Sequence, residues 1–210
     1  MYARLSLLAL ALALPVSAPA LAKEKFKPAP TDEIACEGAF AIDSSEQRLI
    51  EIYGADNVWT GTVPGPEGIE MLATRVFDGD PDKQIEFVWW DEDKREGPSY
   101  IELNPSMTGP GGVRVGQSMD EVEAINGEPF TLSGFGWDYG GSTSPQSGAL
   151  SDFPGDCILS LRFSPQDYPA DVDTDSVMGD REVSSDNPIL DAMDVRVDIV
   201  SIGYPHPDFR

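Results

Sequence analysis

Acidic and aromatic side chains carry whatever chemistry this chain can do. Asp171, Asp173 and Asp175 form a DxDxD run, and Glu182 takes the twelfth place of DVDTDSVMGDRE. Calcium loops put oxygen ligands at alternate positions and a bidentate Glu at the twelfth. Ser176 stands at the sixth place, where an EF-hand turn wants Gly, and no helical pattern flanks the run. The segment reads either as a calcium site or as a solvated acidic loop, and the loop is favoured. Asp78, Asp80 and Asp82 repeat the spacing, but Gly79 and Pro81 between them mark a hairpin turn.

Phe135, Trp137 and Tyr139 alternate inside a glycine-rich run, with Asp138 among them. Glycine lets backbones approach closely, and aromatic side chains supply contact area at protein interfaces. One reading is an exposed patch that grips a partner. The other is a strand whose rings point inward while Asp138 bonds a turn. Trp89 and Trp90 are neighbours on a strand-like segment, so they face opposite sides. One belongs to the core; Trp90 joins the candidate surface.

Catalytic constellations are scarce. His206 is the lone histidine and lies between Pro205 and Pro207 near the C-terminus, which disfavours a triad and excludes any site needing two imidazoles. There is no G-x-S-x-G elbow, HExxH helix, Walker loop or dinucleotide fingerprint. A carboxylate pair of the glycosidase kind remains open among 37 acids, with nothing in the spacing to single one out. Cys36 and Cys157 show no CxxC or Cys/His spacing, which disfavours zinc and dithiol redox chemistry.

The charge and the N-terminus place the chain. Against 37 acids stand 14 basic residues, a net charge of −23, which repels nucleic acid and anionic membrane surfaces. Residues 1–22, MYARLSLLALALALPVSAPALA, combine Arg4, an apolar run and an Ala-Leu-Ala end. That is the pattern of a secretory signal peptide, and the run is too short to span a bilayer. Its removal takes away Arg4 and no acid, leaving −24. A periplasmic or secreted location follows, with no membrane insertion after cleavage. In such a compartment Cys36 and Cys157 are expected to pair, closing a loop of about 120 residues; two buried free thiols are the alternative.

Certain elements must position these residues. Residues 23–35 read as a flexible leader. GAFAIDSSEQRLIEIYG contains a capped helix, with Asp43, Ser44 or Ser45 as the cap and Gly54 as the stop. Strand-like runs follow at 57–63, 71–77, 84–90 and 99–103, with a turn at 78–83. A second helix begins at Ser118, with Glu121 completing a capping box and Asn126-Gly127 ending it. Strand-like runs then recur at 131–141, 148–153, 157–163 and 193–204. The pattern reads as an internal repeat of about 75 residues, with units at 36–108 and 109–210; two coincidental short helices in a β-rich protein are the alternative. Residues 164–190, with three prolines, seven acids and no periodicity, read as a surface insertion in the second unit.

The run Gly112-Val113-Arg114-Val115-Gly116-Gln117-Ser118, continuing to Asn126-Gly127-Glu128-Pro129-Phe130, resembles the signature of the SmpA/OmlA family of outer-membrane assembly lipoproteins. It also resembles the tandem units of secreted beta-lactamase inhibitor proteins. Over a longer stretch, through Gly134–Gly141, it is similar to a group of exported bacterial proteins of undefined function. The clear match covers about 30 residues, and the first unit matches through residues 40–58. The lipobox of the SmpA/OmlA lipoproteins is missing, and the acidic insertion belongs to neither pattern. The resemblance implies an α+β fold of two tandem helix-plus-antiparallel-sheet units. The expected function is a non-enzymatic binding module for another envelope or secreted protein, acting through an aromatic and acidic surface. An inhibitor of a secreted enzyme, or a carboxylate hydrolase with calcium in the insertion, is the alternative. No cofactor beyond that calcium is expected.

Overall fold

Caps and stops set both early helices. The structure, a computed structural model, describes residues 33–210, so the signal peptide and most of the leader lie outside the described residues. In Glu46–Tyr53 (α1) the Ser45 hydroxyl accepts from the Arg48 amide. In Met119–Asn126 (α2) Ser118 and Glu121 make the complete capping box, and Gly127 closes the helix at φ 84°, a left-handed geometry that Gly adopts without penalty. Leu49 and Val122 are the fully buried anchors of the two helices.

After α1 comes an antiparallel meander of Val58–Pro64 (β1), Glu70–Val76 (β2), Ile85–Asp91 (β3) and Glu96–Glu102 (β4). The expected turn between β2 and β3 is built on Asp80, whose carboxylate accepts from the Asp82 amide and binds Lys83. After α2 the chain forms Thr131–Ser133 (β5), Ser142–Thr143 (β6) and the long Ile158–Pro165 (β7). It ends with Glu182–Ser184 (β8), a short helix Pro188–Ala192 (α3) and Val195–Gly203 (β9). Seven strands make one antiparallel sheet in the order β1-β2-β3-β4-β9-β7-β6, while β5 pairs with β8. The fold is α+β. The last strands of the two halves meet in mid-sheet, where Tyr100, Ile101 and Glu102 face Gly203, Ile202 and Ser201. One apolar core lies beneath, joining Leu49, Phe87 and Ile101 to Val122, Phe163 and Ile202.

The two helix caps are bridged to strands in the same way. Ser45 bridges Glu96 at the start of β4, and Ser118 bridges Arg196 near the start of β9. Just before each cap, the Ser44 carbonyl accepts from Gly97 and the Gln117 carbonyl from Val197, both at 2.9 Å. Ser44 and Gln117 are buried, and Ser44 Oγ and Gln117 Nε2 have no hydrogen-bond partner among the described residues.

Two expectations are corrected. Of 131–141 only Thr131–Ser133 is strand, and 148–153 is loop. Gly136 and Gly141 take φ of 87° and 75°, which turns the chain out of extended geometry. The segment 164–190 is not simply a surface insertion either. Its first part is exposed, but Val177, Val183 and Leu190 are buried in the core, β8 pairs with β5, and the Phe135 amide donates to the Val177 carbonyl. Isolated anchors of this kind carry no periodicity. Cys36 and Cys157 form a disulfide with a Cα–Cα distance of 6.1 Å. It ties the first described turns to the start of β7, and nearby the Tyr204 hydroxyl donates to the Phe40 carbonyl.

Candidate functional site

Strand alternation decides which side chains stay outside the core. Ile85, Phe87 and Trp89 of β3 point into it with Ile101, Leu159, Leu161 and Ile202. Glu86, Val88 and Trp90 are left for the opposite face. The register then builds rows across that face. One runs Trp59, Arg75, Glu86, Glu102, Ser201 and Ser160 over strands β1, β2, β3, β4, β9 and β7. Next to it Ala73, Val88 and Val63 form a small apolar cluster, with Met71 and Tyr100 packed against it.

A trough of about 890 Å³ opens on this face. Pro64–Gly68, the β1–β2 turn, forms one wall, and Asp138 with Tyr139 stands at the other. Met71, Tyr100, Glu86, Glu102 and Arg162 also line it. The charges inside are unevenly matched. Arg75 Nε donates to Glu86 at 2.8 Å, and its guanidinium lies 5.7 Å from the Trp59 ring centre. Glu102 sits directly opposite Glu86. Its carboxyl is pushed above the ordinary range, first by desolvation, then by Glu86 and Asp198. Burial, then the charges of Glu86 and Glu102, push the Tyr100 hydroxyl up to about 12. The Tyr100 hydroxyl thus sits among the trough's carboxylates, next to Glu86.

The aromatic run divides. Phe135 is 3% exposed and packs in the core, so it leaves the expected surface patch: its amide donates to the Val177 carbonyl and its carbonyl accepts from Gly179, which fixes its backbone against that segment. Trp137 is half-buried, and its Nε1 donates to the Gly134 carbonyl at 2.8 Å. Its ring meets Tyr139 edge-on at 5.3 Å. Tyr139 is 42% exposed and Asp138 is exposed, so these two remain at the surface. Trp89 is buried and donates to Thr74 Oγ1. Trp90 is the exposed member of the pair, but it lines a different groove, at the end of the sheet.

Asp171, Asp173 and Asp175 lie exposed in and around a single helical turn, and Glu182 is on β8 opposite Ser133. Among the described residues no three or more Asp, Glu, His or Cys side chains are grouped so as to hold a metal ion. The structure thus does not bring these four together. Tyr100, Glu102 and Arg162 escaped the reading of the sequence. Their signal lay in the polar positions that alternate with the core residues of β3, β4 and β7.

No protein-family model, no curated protein and no solved structure matches the chain. Among the described residues no helix is long and apolar enough to cross a membrane.

Proposed function

We propose that this protein is an exported, non-enzymatic binding module that grips another envelope or secreted protein through the open face of its sheet. One observation carries the reading. The seven-stranded sheet buries its core on one face, while the other holds a trough walled by the β1–β2 turn and Tyr139. Antiparallel sheets tolerate one uncovered face; here that face carries Met71, Tyr100 and Tyr139 rather than small polar groups alone. The signal-like N-terminus and the Cys36–Cys157 pair support export.

The tandem-unit reading rests on the repeated seam. Ser45 to Glu96 spans 51 residues and Ser118 to Arg196 spans 78. The difference, 27, equals the length of the segment 164–190. Two units of one design, the second enlarged by that segment, account for both spacings. The same design supports the resemblance to SmpA/OmlA proteins and to the beta-lactamase inhibitors. Inhibition of a secreted enzyme is the narrower form of this reading.

The test is cross-linking and capture from periplasmic extract with wild type and with Tyr100→Ala/Tyr139→Ala. The wild type is expected to retain a defined partner that the double variant loses. Capture unchanged in the double variant refutes the sheet face. No partner at any salt, with turnover in a hydrolase panel, refutes the binding module.

A further inference from the structure

The groove at the end of the sheet is built differently from the trough. It is an open groove of about 840 Å³ lined by Trp90, His206 and the β3–β4 turn. Trp90 is a fixed wall. Its Nε1 donates to the Tyr204 carbonyl at 2.9 Å, and the His206 ring stands edge-on to it at 4.9 Å and 81°. The indole is nevertheless 40% exposed.

The rest of the lining is mainly acidic. Three cations lie close by, and each is already engaged: Lys94 with Asp91, Arg48 with Asp43, and Arg95 with Glu46 of α1. Glu92, Asp93 and Glu96 line the groove with no ion pair among the described residues. Nor are these carboxylates gathered as a metal cage. They line the same groove as the part-exposed Trp90 indole, and an aromatic ring beside several acceptors suits a flat, extended cation.

We propose that this groove takes an arginine side chain from a partner protein, its guanidinium stacked on Trp90 and its N–H groups on the carboxylates of the β3–β4 turn. Arginine combines stacking on an aromatic face with a planar array of donors, which lysine lacks. A net charge of −23 selects a cationic segment over an acidic one and raises its encounter rate. The site stands apart from the sheet-face reading, because none of its residues lines the trough.

The test is titration of the full mature protein with a dye-labelled tetra-arginine amide at low salt, read by anisotropy and by tryptophan emission. Trp90→Ala is expected to weaken binding about three- to tenfold. Trp90→Phe keeps a ring face and is expected to lose less, which guards against a folding defect in the alanine variant. Glu92→Gln/Asp93→Asn/Glu96→Gln is expected to weaken binding about tenfold or more. Asp171→Asn/Asp173→Asn/Asp175→Asn removes the same charge elsewhere and is expected to stay within about twofold of wild type. Tyr100→Ala/Tyr139→Ala is expected to bind the peptide as wild type does. Equal losses in the two acidic triples would reduce the attraction to net charge and overturn the site. Equal affinity for tetralysine would overturn the guanidinium assignment. Tighter binding on changing Lys23, Lys25 and Lys27 to Ser would make the chain's own leader the occupant and overturn the partner.

Discussion

Neutralising Glu102 is expected to stabilise this protein at neutral pH. Glu102 faces Glu86 across β3 and β4. Arg75 bonds Glu86, while no hydrogen bond or ion pair to a cation is made by Glu102 among the described residues. Like charges placed opposite each other in a sheet cost about 0.2–1 kcal/mol. Desolvation leads the upward shift of the Glu102 carboxyl, yet the residue is exposed by accessible area. Water therefore screens the repulsion, and the lower half of that range applies. Glu102→Gln should gain about 0.5 kcal/mol at pH 7, or about 1–2 °C in Tm for a chain of this length. The sign with pH follows from linkage. A raised folded-state pKa means the folded protein takes up this proton where the unfolded chain has already lost it. Wild type therefore gains on the glutamine variant as pH falls through the folded pKa, and the difference closes below the ordinary carboxylate range. Urea unfolding of both proteins at pH 7 and at about pH 3.5 measures it. Glu86→Gln is the opposing control: it removes the closer of the two carboxylates that half-buried Arg75 holds, leaving Asp78 at 3.4 Å, and should cost about 1 kcal/mol. A Glu102→Gln variant less stable than wild type at pH 7, or a difference that ignores pH, would refute the electrostatic account of the trough.

Four further outcomes are expected. Cys36→Ser/Cys157→Ser opens a loop with a sequence separation of 121 and should cost about 4–5 kcal/mol in the chain-entropy model, read by chemical denaturation. Ser118→Ala removes half of the capping box and should cost about 1 kcal/mol, with Glu121→Ala falling short of additivity because the two residues share one motif. At Gly141 a Cβ would collide with the Phe163 carbonyl, and φ is +75°, so Gly141→Ala should destabilise by more than about 1 kcal/mol and displace Tyr139, visible as altered near-UV circular dichroism. Millimolar calcium should leave Tm unchanged, since Asp171, Asp173, Asp175 and Glu182 are not gathered; a rise of several degrees would show that the ion assembles them.

What was legible in the sequence was local. Ser118, Glu121 and Gly127 fall within one helix and signal its ends by spacing alone. Ile85, Phe87 and Trp89 announce β3 because a half-buried strand must alternate. Phe135, Trp137 and Tyr139 imitate that alternation, but positive φ at Gly136 and Gly141 folds the run into a turn that buries one ring and exposes another. The β4–β9 seam pairs Tyr100 with Gly203, and a contact between residues so far apart leaves no local trace. The same distance hid the trough, whose lining comes from the β1–β2 turn, β2, β3, β4, β7 and the loop before β6. Val177, Val183 and Leu190 escaped for another reason: each touches the core singly, so the segment has anchors without a period.

The charge also bears on what can cover the open face. A sheet face carrying Met71, Tyr100 and Tyr139 is a template for self-association. A second copy would bring another net −23 against the first and set Glu86, Glu102 and Asp138 close to their own counterparts. Arg75 and Arg162 are too few to offset them, and Arg75 is already committed to Glu86 and Asp78. On the binding-module reading, repulsion between copies would disfavour self-pairing of this face, while a partner with basic residues would meet no such barrier. In the proposed binding role the acid surplus and the open sheet would act together: one would repel the chain's own copies, and the other would supply the contact area for a protein of opposite charge.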